Sequence, residues 1–156
     1  MLCPCGTQKL FESCCQRFIL EKDYPLNAEQ LMRSRYSAFY LSDINYIKKT
    51  MKEPASHQFD SVETFRWMKK IKWIGLKILK TENLSISPSY VEFSAQYIEN
   101  DFLKTIHERS EFQLSDNRWF YTTGEHIEEP SIVLSQNKPC PCGNSKKYKN
   151  CHGQKD

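Results

Sequence analysis

The sequence predicts an α+β protein in which a helical first half packs under a curved antiparallel sheet, with a small cysteine-rich finger at each end. Three observations carry that expectation. Apolar residues recur at i, i+3, i+4 spacing from Ala28 to Leu41, the period changes to alternation from Trp73 onward, and all seven cysteines fall at the two ends of the 156-residue chain.

The first finger is written as a spacing. Cys3-Pro-Cys5-Gly6 is followed by Cys14-Cys15 with eight residues between Cys5 and Cys14, and the same interval separates Cys142 of Cys140-Pro-Cys142-Gly143 from Cys151-His152. Each end therefore offers a complete tetrahedral set of soft or borderline ligands with no position left for water, which is the signature of structural zinc. Pro4 and Pro141 fix φ between two ligands, while Gly6 and Gly143 permit a tight turn immediately afterwards. Disulfides fit less well, because seven cysteines leave one unpaired and vicinal pairs make awkward bridges. A redox role fits less well too, since a whole ligand set is repeated. The expectation is two structural zinc ions, one on Cys3, Cys5, Cys14 and Cys15 and one on Cys140, Cys142, Cys151 and His152.

Between the fingers, Asn27 is a suitable N-cap for a helix over Ala28 to Leu41. Its apolar stripe, Ala28, Leu31, Ala38 and Phe39, carries one charge, Arg35, with Met32, Tyr36 and Tyr40 beside it. Ser42 or Asp43 caps a second helix from Ile44 to Met51, which ends ahead of Pro54, and Val62 to Ile71 forms a third with Phe65 and Met68 inward. The basic residues Arg66, Lys69, Lys70 and Lys72 then form a hydrated face.

Alternation takes over at Trp73. Ile74, Leu76 and Ile78 share one side of the first strand; Val91, Phe93, Ala95 and Tyr97 share one side of the second. A third strand from Phe102 to Leu114 sends Ile106, Glu108, Ser110, Phe112 and Leu114 toward the helices, and Trp119 to Thr123 closes the meander. Asn83, Asn100-Asp101 and Asp116-Asn117 supply the turns.

Charge is unevenly distributed over three expected segments, 1–22, 23–137 and 138–156. The last of these holds five basic residues and one acidic residue, a local charge of +4 against +3 for the whole chain. An acidic partner for this end is the natural expectation, presented with Lys146, Lys147, Tyr148 and Lys149. An acidic protein surface such as a chaperone comes first, with acidic lipid or nucleic acid as alternatives. The central segment is close to neutral, which gives no support to broad nucleic-acid binding. No signal peptide precedes the first cysteine and no apolar run approaches roughly 18 residues, so a cytoplasmic protein with reduced thiols is expected.

Two resemblances follow from these residues. Cys140-Pro-Cys-Gly-Asn-Ser-Lys-Lys-Tyr-Lys-Asn-Cys-His-Gly153 resembles the SEC-C motif, the zinc finger at the C-terminus of the bacterial preprotein-translocation ATPase. The resemblance implies ligands at Cys140, Cys142, Cys151 and His152, and a finger that in that ATPase contacts an export chaperone and acidic phospholipid. Over nearly its whole length the chain also resembles the bacterial YchJ-like family, through Met32-Arg-Ser-Arg-Tyr-Ser-Ala-Phe39, Val91-Glu-Phe-Ser-Ala-Gln-Tyr97, His107-Glu-Arg-Ser-Glu-Phe112 and Trp119-Phe-Tyr121. That family implies a cone-shaped central domain similar to nuclear transport factor 2, with no particular activity attached. Sheets of this fold type often pair two chains, so a homodimer is a further expectation. The chain departs from the family at Thr50-Met-Lys-Glu-Pro54, where a histidine is expected soon after the threonine.

The cone directs attention to Arg33, Arg35, Tyr36, Glu108 and Ser110 as cavity residues. An isolated buried carboxylate is too costly to keep ionised, so a direct Arg35–Glu108 pair under the helix is expected. Such a pair would take away the basic strength that proton-transfer chemistry needs. No phosphate-binding glycine loop, serine triad or second carboxylate constellation is present, and His57, His107 and His126 read as surface residues. The first functional expectation is a zinc-binding interaction adaptor, and the alternative is a small-molecule binder or enzyme using the cone. An open pocket of roughly 300 Å³ with Glu108 in its wall would favour the alternative.

Overall fold

The computed structural model describes residues 1–155. Five helices, α1 (Gln16–Ile19), α2 (Ala28–Leu41), α3 (Ile44–Lys49), α4 (Ala55–Gln58) and α5 (Ser61–Lys70), precede an antiparallel sheet. Its strands are β1 (Lys72–Glu82), β2 (Ser89–Glu99), β3 (Phe102–Ser115), β4 (Arg118–Ile127) and the short β5 (Ile132–Val133). They run in the order β1-β2-β3-β4, with β5 beside the start of β3.

α2 begins where the cap predicts. Asn27 is extended at φ −153°, and its side chain accepts a hydrogen bond from the Gln30 amide. Asp43 caps α3 in the same way through the Tyr46 amide, and Asp60 caps α5 through Val62 and Glu63. α3 stops at Lys49, short of the expected Met51, because the next backbone groups have other partners. The Lys52 amide donates to the Tyr121 carbonyl at 2.9 Å, and the Tyr121 amide donates to the Thr50 carbonyl at 2.8 Å. Residues 50–52 thus clip onto β4, and α4 fits into the connection that follows. On α5 the inward residue is Met68, with Trp67 half-buried beside it, whereas Phe65 is exposed.

The hairpins follow from their turn residues. Asn100 and Asp101 have φ of 51° and 64°, and Asp116 and Asn117 have φ of 50° and 62°. Positive φ at both positions is what a two-residue type I′ connection demands, and Asn and Asp are among the few non-glycine residues that accept it. The second turn sets Leu114 opposite Trp119 and Phe112 opposite Tyr121.

Three register shifts interrupt the ladders, at Trp73/Gly75, at Ile78/Lys80 and at Glu111/Phe112, and the first and last of them bear on the site. The shift between Trp73 and Gly75 puts Trp73 with Leu76 in the core against α2 and sends Ile74 to the cluster under the C-terminal finger, which corrects the expected grouping of Ile74 with Leu76. The shift in β4 lies opposite Glu111 and Phe112. It brings Gly124 against Ser110 and His126 against Glu108. β4 also runs to Ile127, past the expected Thr123, and β5 adds a short strand beyond the expected meander.

The main core lies between α2 and the sheet, centred on Leu31, Met32, Tyr36, Val91 and Phe112. A second cluster of Phe18, Ala38, Tyr46, Ile47 and Met68 joins the helices to one another. The ends extend these cores. Cys3, Cys5, Phe11 and Cys15 pack together with Ile19, and Tyr148 packs with Cys140 on Ile98 and Leu103. Tyr148 is buried and donates its hydroxyl to Asp101 at 2.7 Å, so it anchors the C-terminal finger; the expectation that it faces a partner is corrected. Phenylalanine at Tyr148 removes only that bond and should cost about 1 kcal/mol, while alanine also removes the packing and should cost about 3 kcal/mol or more. Urea unfolding of the two variants measures the difference; equal, negligible losses would mean the finger is not anchored this way.

Candidate functional site

Between the helices and the inner face of the sheet lies an open cavity of about 320 Å³. Its floor is β2 and β3, its roof is α2 and α5, and one wall is β4. Alternation on β3 brings Glu108 and Ser110 to the inner face, where both are buried, as expected. α2 contributes Arg35 and Tyr36, which also line it. Arg33, on the same helix but turned away, belongs elsewhere: its Nη1 donates to the Cys5 carbonyl at 2.7 Å and its Nε to Glu29 at 3.0 Å. The expected cavity role of Arg33 is therefore corrected to support of the N-terminal finger.

The expected Arg35–Glu108 ion pair is replaced by a three-membered arrangement. Arg35 Nη1 donates to the Ile47 carbonyl at 2.9 Å and to Thr50 Oγ1 at 2.6 Å, and its guanidinium lies over the Tyr121 ring, 4.8 Å from the centroid. The Tyr121 hydroxyl in turn donates to Glu108 Oε1 at 2.5 Å. A phenol thus stands where the direct contact was expected, placed there by the clip between β4 and residues 50–52. Burial lowers the Arg35 pKa to about 10, with Tyr121, Tyr46 and Glu108 acting against the shift, so the group stays cationic at neutral pH. Burial first and Glu108 second push the Tyr121 hydroxyl well above its ordinary value, keeping it a proton donor.

Glu108 needs the space that Gly124 leaves. A Cβ at position 124 would fall 1.5 Å from Glu108 Oε1 and 2.4 Å from Cδ, so the carboxyl group lies across the neighbouring strand where that strand has no side chain. His126 follows at the rim, with Nε2 4.0 Å from Glu108 Oε2 and a largely exposed ring. Two buried polar atoms of the lining residues have no partner among the described residues, Ser110 Oγ and Trp73 Nε1. The far end of the cavity is aromatic: Trp67 and Tyr36 meet the Trp73 ring edge to face at 5.7 and 5.3 Å between centroids. Tyr121, Gly124, His126 and Trp67 were not among the expected site residues.

The cysteine clusters form as expected. In each, the four candidate ligand atoms lie within 4.8 Å of one another. Cys5 Sγ is 3.7 Å from Cys14 Sγ, Cys142 Sγ is 3.6 Å from Cys151 Sγ, and the sulfurs of Cys14 and Cys15 are 4.0 Å apart. Those separations are far too long for disulfides and close to the edge of about 3.8 Å that a tetrahedron of sulfurs at about 2.3 Å from a central ion requires. His152 presents Nδ1, 3.3 Å from Cys140 Sγ and 3.2 Å from Cys151 Sγ. Burial, aided by Lys72, holds His152 below the usual imidazole range and so in the neutral form a metal takes. Gly6 and Gly143 have φ of +85° and +82°, the tight turn that the spacing calls for.

The thiols of the N-terminal cluster do not ionise independently. The Cys15 thiol, with Thr7 and Cys3, pulls Cys5 down to about 4 against the effect of burial. The same Cys5 contact and burial push Cys15 well up. Four thiolates in contact repel one another, and a divalent cation among them removes that conflict. Thr7 Oγ1 lies 3.2 Å from Cys14 Sγ and 3.4 Å from Cys5 Sγ, and Asn144 Nδ2 donates to Cys151 Sγ at 3.0 Å, so both clusters have hydrogen-bonding neighbours that orient the sulfurs. The residues fit two metal ions. Around the second cluster Lys146, Lys147 and Lys149 are exposed and make no ion pair among the described residues.

Alanine at Gly124 should drive Glu108 off Tyr121 and cost about 1–3 kcal/mol as an overpacked site. The drop in urea midpoint at unchanged slope checks this, and an unchanged midpoint would show that Glu108 does not occupy that space.

Comparisons with known proteins agree with this architecture. Residues 27–124 match the family model described as the YchJ middle NTF2-like domain. A UPF0225 protein of Geobacter sulfurreducens is 39% identical over 157 residues, covering 97% of this chain and 98% of the relative. A UPF0225 protein of Haemophilus influenzae strain PittEE is 36% identical, covering 97% and 91%. Among solved structures, a SEC-C motif containing protein from Rhodopseudomonas palustris superposes with a TM-score of 0.73 at 30% identity, over 82% of this chain and 100% of that one. Another from Psychrobacter arcticus gives 0.68 at 29% identity, over 98% and 96%. No helix among the described residues is long and apolar enough to cross a membrane. With a nuclear transport factor 2-like middle, SEC-C containing structural neighbours and relatives matched end to end, the chain belongs to the YchJ-like family.

Proposed function

We propose that the protein binds a small molecule in its central cavity, and that structural zinc ions on the two cysteine clusters hold the cavity's two layers in place. The observation that carries the reading is an open cavity of about 320 Å³ in which the buried Glu108 is left unpaired with Arg35 and Ser110 Oγ has no partner. A cavity serving only as a core would be filled by side chains, because apolar packing at that position is worth several kcal/mol and an unpartnered buried hydroxyl costs about 1–3 kcal/mol. Concave, mostly apolar sites with a few convergent polar groups are the usual form of a ligand pocket.

Zinc supports this reading from outside the cavity. It would sit in closed shells of three or four thiolates, with no open position for substrate, and would fix the geometry of the chain ends. Cys3 Sγ lies 3.6 Å from Ser37 Oγ on α2, the helix that roofs the cavity. Elemental analysis of freshly reduced protein should give two zinc ions per chain, and Cys151→Ser should lower that to one. Chelation should cut the affinity of any cavity ligand, read by calorimetry before and after metal removal. A chain without zinc at either end would contradict the structural part of the reading.

The cavity itself is tested by a fragment screen using ligand-observed NMR against the unmodified protein and Ala95→Phe, which fills the cavity from its floor. Hits that bind the first and lose at least tenfold with the second support the reading; hits indifferent to the change refute it. A second reading is favoured by Lys146, Lys147 and Lys149, which are exposed and make no ion pair among the described residues: a contact with an acidic protein surface through the C-terminal finger. Charge reversal at these lysines should abolish such a contact and leave the cavity ligand untouched.

A further inference from the structure

Resting on the reading of the cavity as a ligand site, we infer the chemical class of its ligand: a neutral, planar nitrogen heterocycle of one or two rings that presents an N–H donor beside a carbonyl acceptor, as a lactam or a nucleobase does. Four observations on the lining lead there.

The first is charge. Arg35 and Glu108 carry the opposite full charges of the lining, both are buried, and they lie on either side of Tyr121. Their charges cancel, so a ligand with net charge would gain one favourable contact and one unfavourable contact a few ångströms apart. In a medium of low dielectric that conflict is expensive. A neutral molecule avoids it.

The second is the count of open donors and acceptors. Glu108 accepts one hydrogen bond, from Tyr121, and His126 at 4.0 Å is too distant to supply another, so the carboxylate retains capacity for a donor. Arg35 uses Nη1 and makes no hydrogen bond through Nε or Nη2. Ser110 Oγ and Trp73 Nε1 are both unpartnered. The indole N–H can only donate, and the Arg35 nitrogens can only donate. The matching ligand therefore gives one hydrogen bond and receives at least one, and an N–H beside a carbonyl on one ring supplies both.

The third is placement. Glu108 and Ser110 are separated by one residue on β3 and so project side by side onto the same face. A donor and an acceptor on adjacent ring atoms suit such a pair, because the serine hydroxyl donates where the carboxylate accepts. The fourth is shape. Trp67, Trp73, Tyr36 and Phe39 give the remaining volume flat aromatic walls, and about 320 Å³ leaves space for a small ring system. The rings favour a planar π-face by stacking or edge contact.

The test uses three probes that share a two-ring body: quinolin-2-one as the neutral lactam, naphthalene-2-carboxylate as the anion and 2-naphthylmethylamine as the cation. Affinities are measured by NMR titration of the zinc-loaded full chain, following the Trp73 indole and Ser110 amide signals. The lactam should bind at least tenfold more tightly than either charged probe. Glu108→Gln, which keeps the size and an acceptor for Tyr121, should weaken the lactam about tenfold, and Ser110→Ala should weaken it several-fold. Ala95→Phe should abolish all binding.

Preference for the anion or the cation, or a lactam affinity indifferent to Glu108→Gln and Ser110→Ala, would overturn the ligand class and leave the cavity standing as a site. Failure of all three probes to move the Trp73 and Ser110 signals counts against the class directly. It reaches the cavity reading only if the fragment screen is also empty.

Discussion

The structure depends on how it tolerates two opposite charges buried over one concave sheet. A guanidinium and a carboxylate taken out of water each cost several kcal/mol, and a direct bidentate pair is the usual remedy. This chain instead satisfies them separately. Arg35 is held by the end of α3 and by the face of an aromatic ring, and Glu108 by the hydroxyl of that ring. The phenol can stand between them because residues 50–52 are hydrogen-bonded to the backbone of Tyr121 and because Gly124 leaves space for the carboxyl group. The remaining polar capacity of the pair then lies in the wall of the cavity.

The two chain ends brace the two layers that form this cavity. α2 is a shared beam: Met32 and Tyr36 face the cavity, Ser37 meets Cys3, and Arg33 holds the carbonyl of Cys5. The C-terminal finger sits on the other side, where Tyr148 covers Ile98 and Leu103 and reaches Asp101 in the β2–β3 turn. Lys72 at the start of β1 donates to the carbonyls of His152 and Gln154 at 3.0 and 3.3 Å. Order imposed on one cysteine cluster therefore reaches the helical roof, and order imposed on the other reaches the sheet. Neither cluster contributes a residue to the cavity lining, so the stabilising chemistry lies apart from the cavity.

Much of this is readable from residues alone, for identifiable reasons. The ligand sets are local spacings, so their assembly needs no knowledge of the rest of the fold. The same holds for α2, with Asn27 at its cap, and for the hairpins at Asn100-Asp101 and Asp116-Asn117. Strand alternation places Glu108 and Ser110 inward, and both are buried. The errors arise where tertiary contacts intervene. The bulge after Trp73 moves Ile74 to the outer face, and the bulge opposite Phe112 decides that Gly124 and His126 become neighbours of Ser110 and Glu108. Arg33 and Arg35 differ by two positions, about 200° around a helix, so only one of them can face the sheet. Tyr121 could have been set against Phe112 by counting from the two-residue turn. Its position between Arg35 and Glu108 depended on the clip to residues 50–52, which no periodicity reveals.

The most direct measurement is an atomic-resolution crystal structure of the zinc-loaded protein, read at Arg35, Tyr121 and Glu108. The account predicts continuous density from the Tyr121 hydroxyl to Glu108, the Arg35 guanidinium over the ring, and an open cavity with Ser110 at its wall. A bidentate contact between Arg35 and Glu108, with Tyr121 displaced and side chains closing the space, would contradict it.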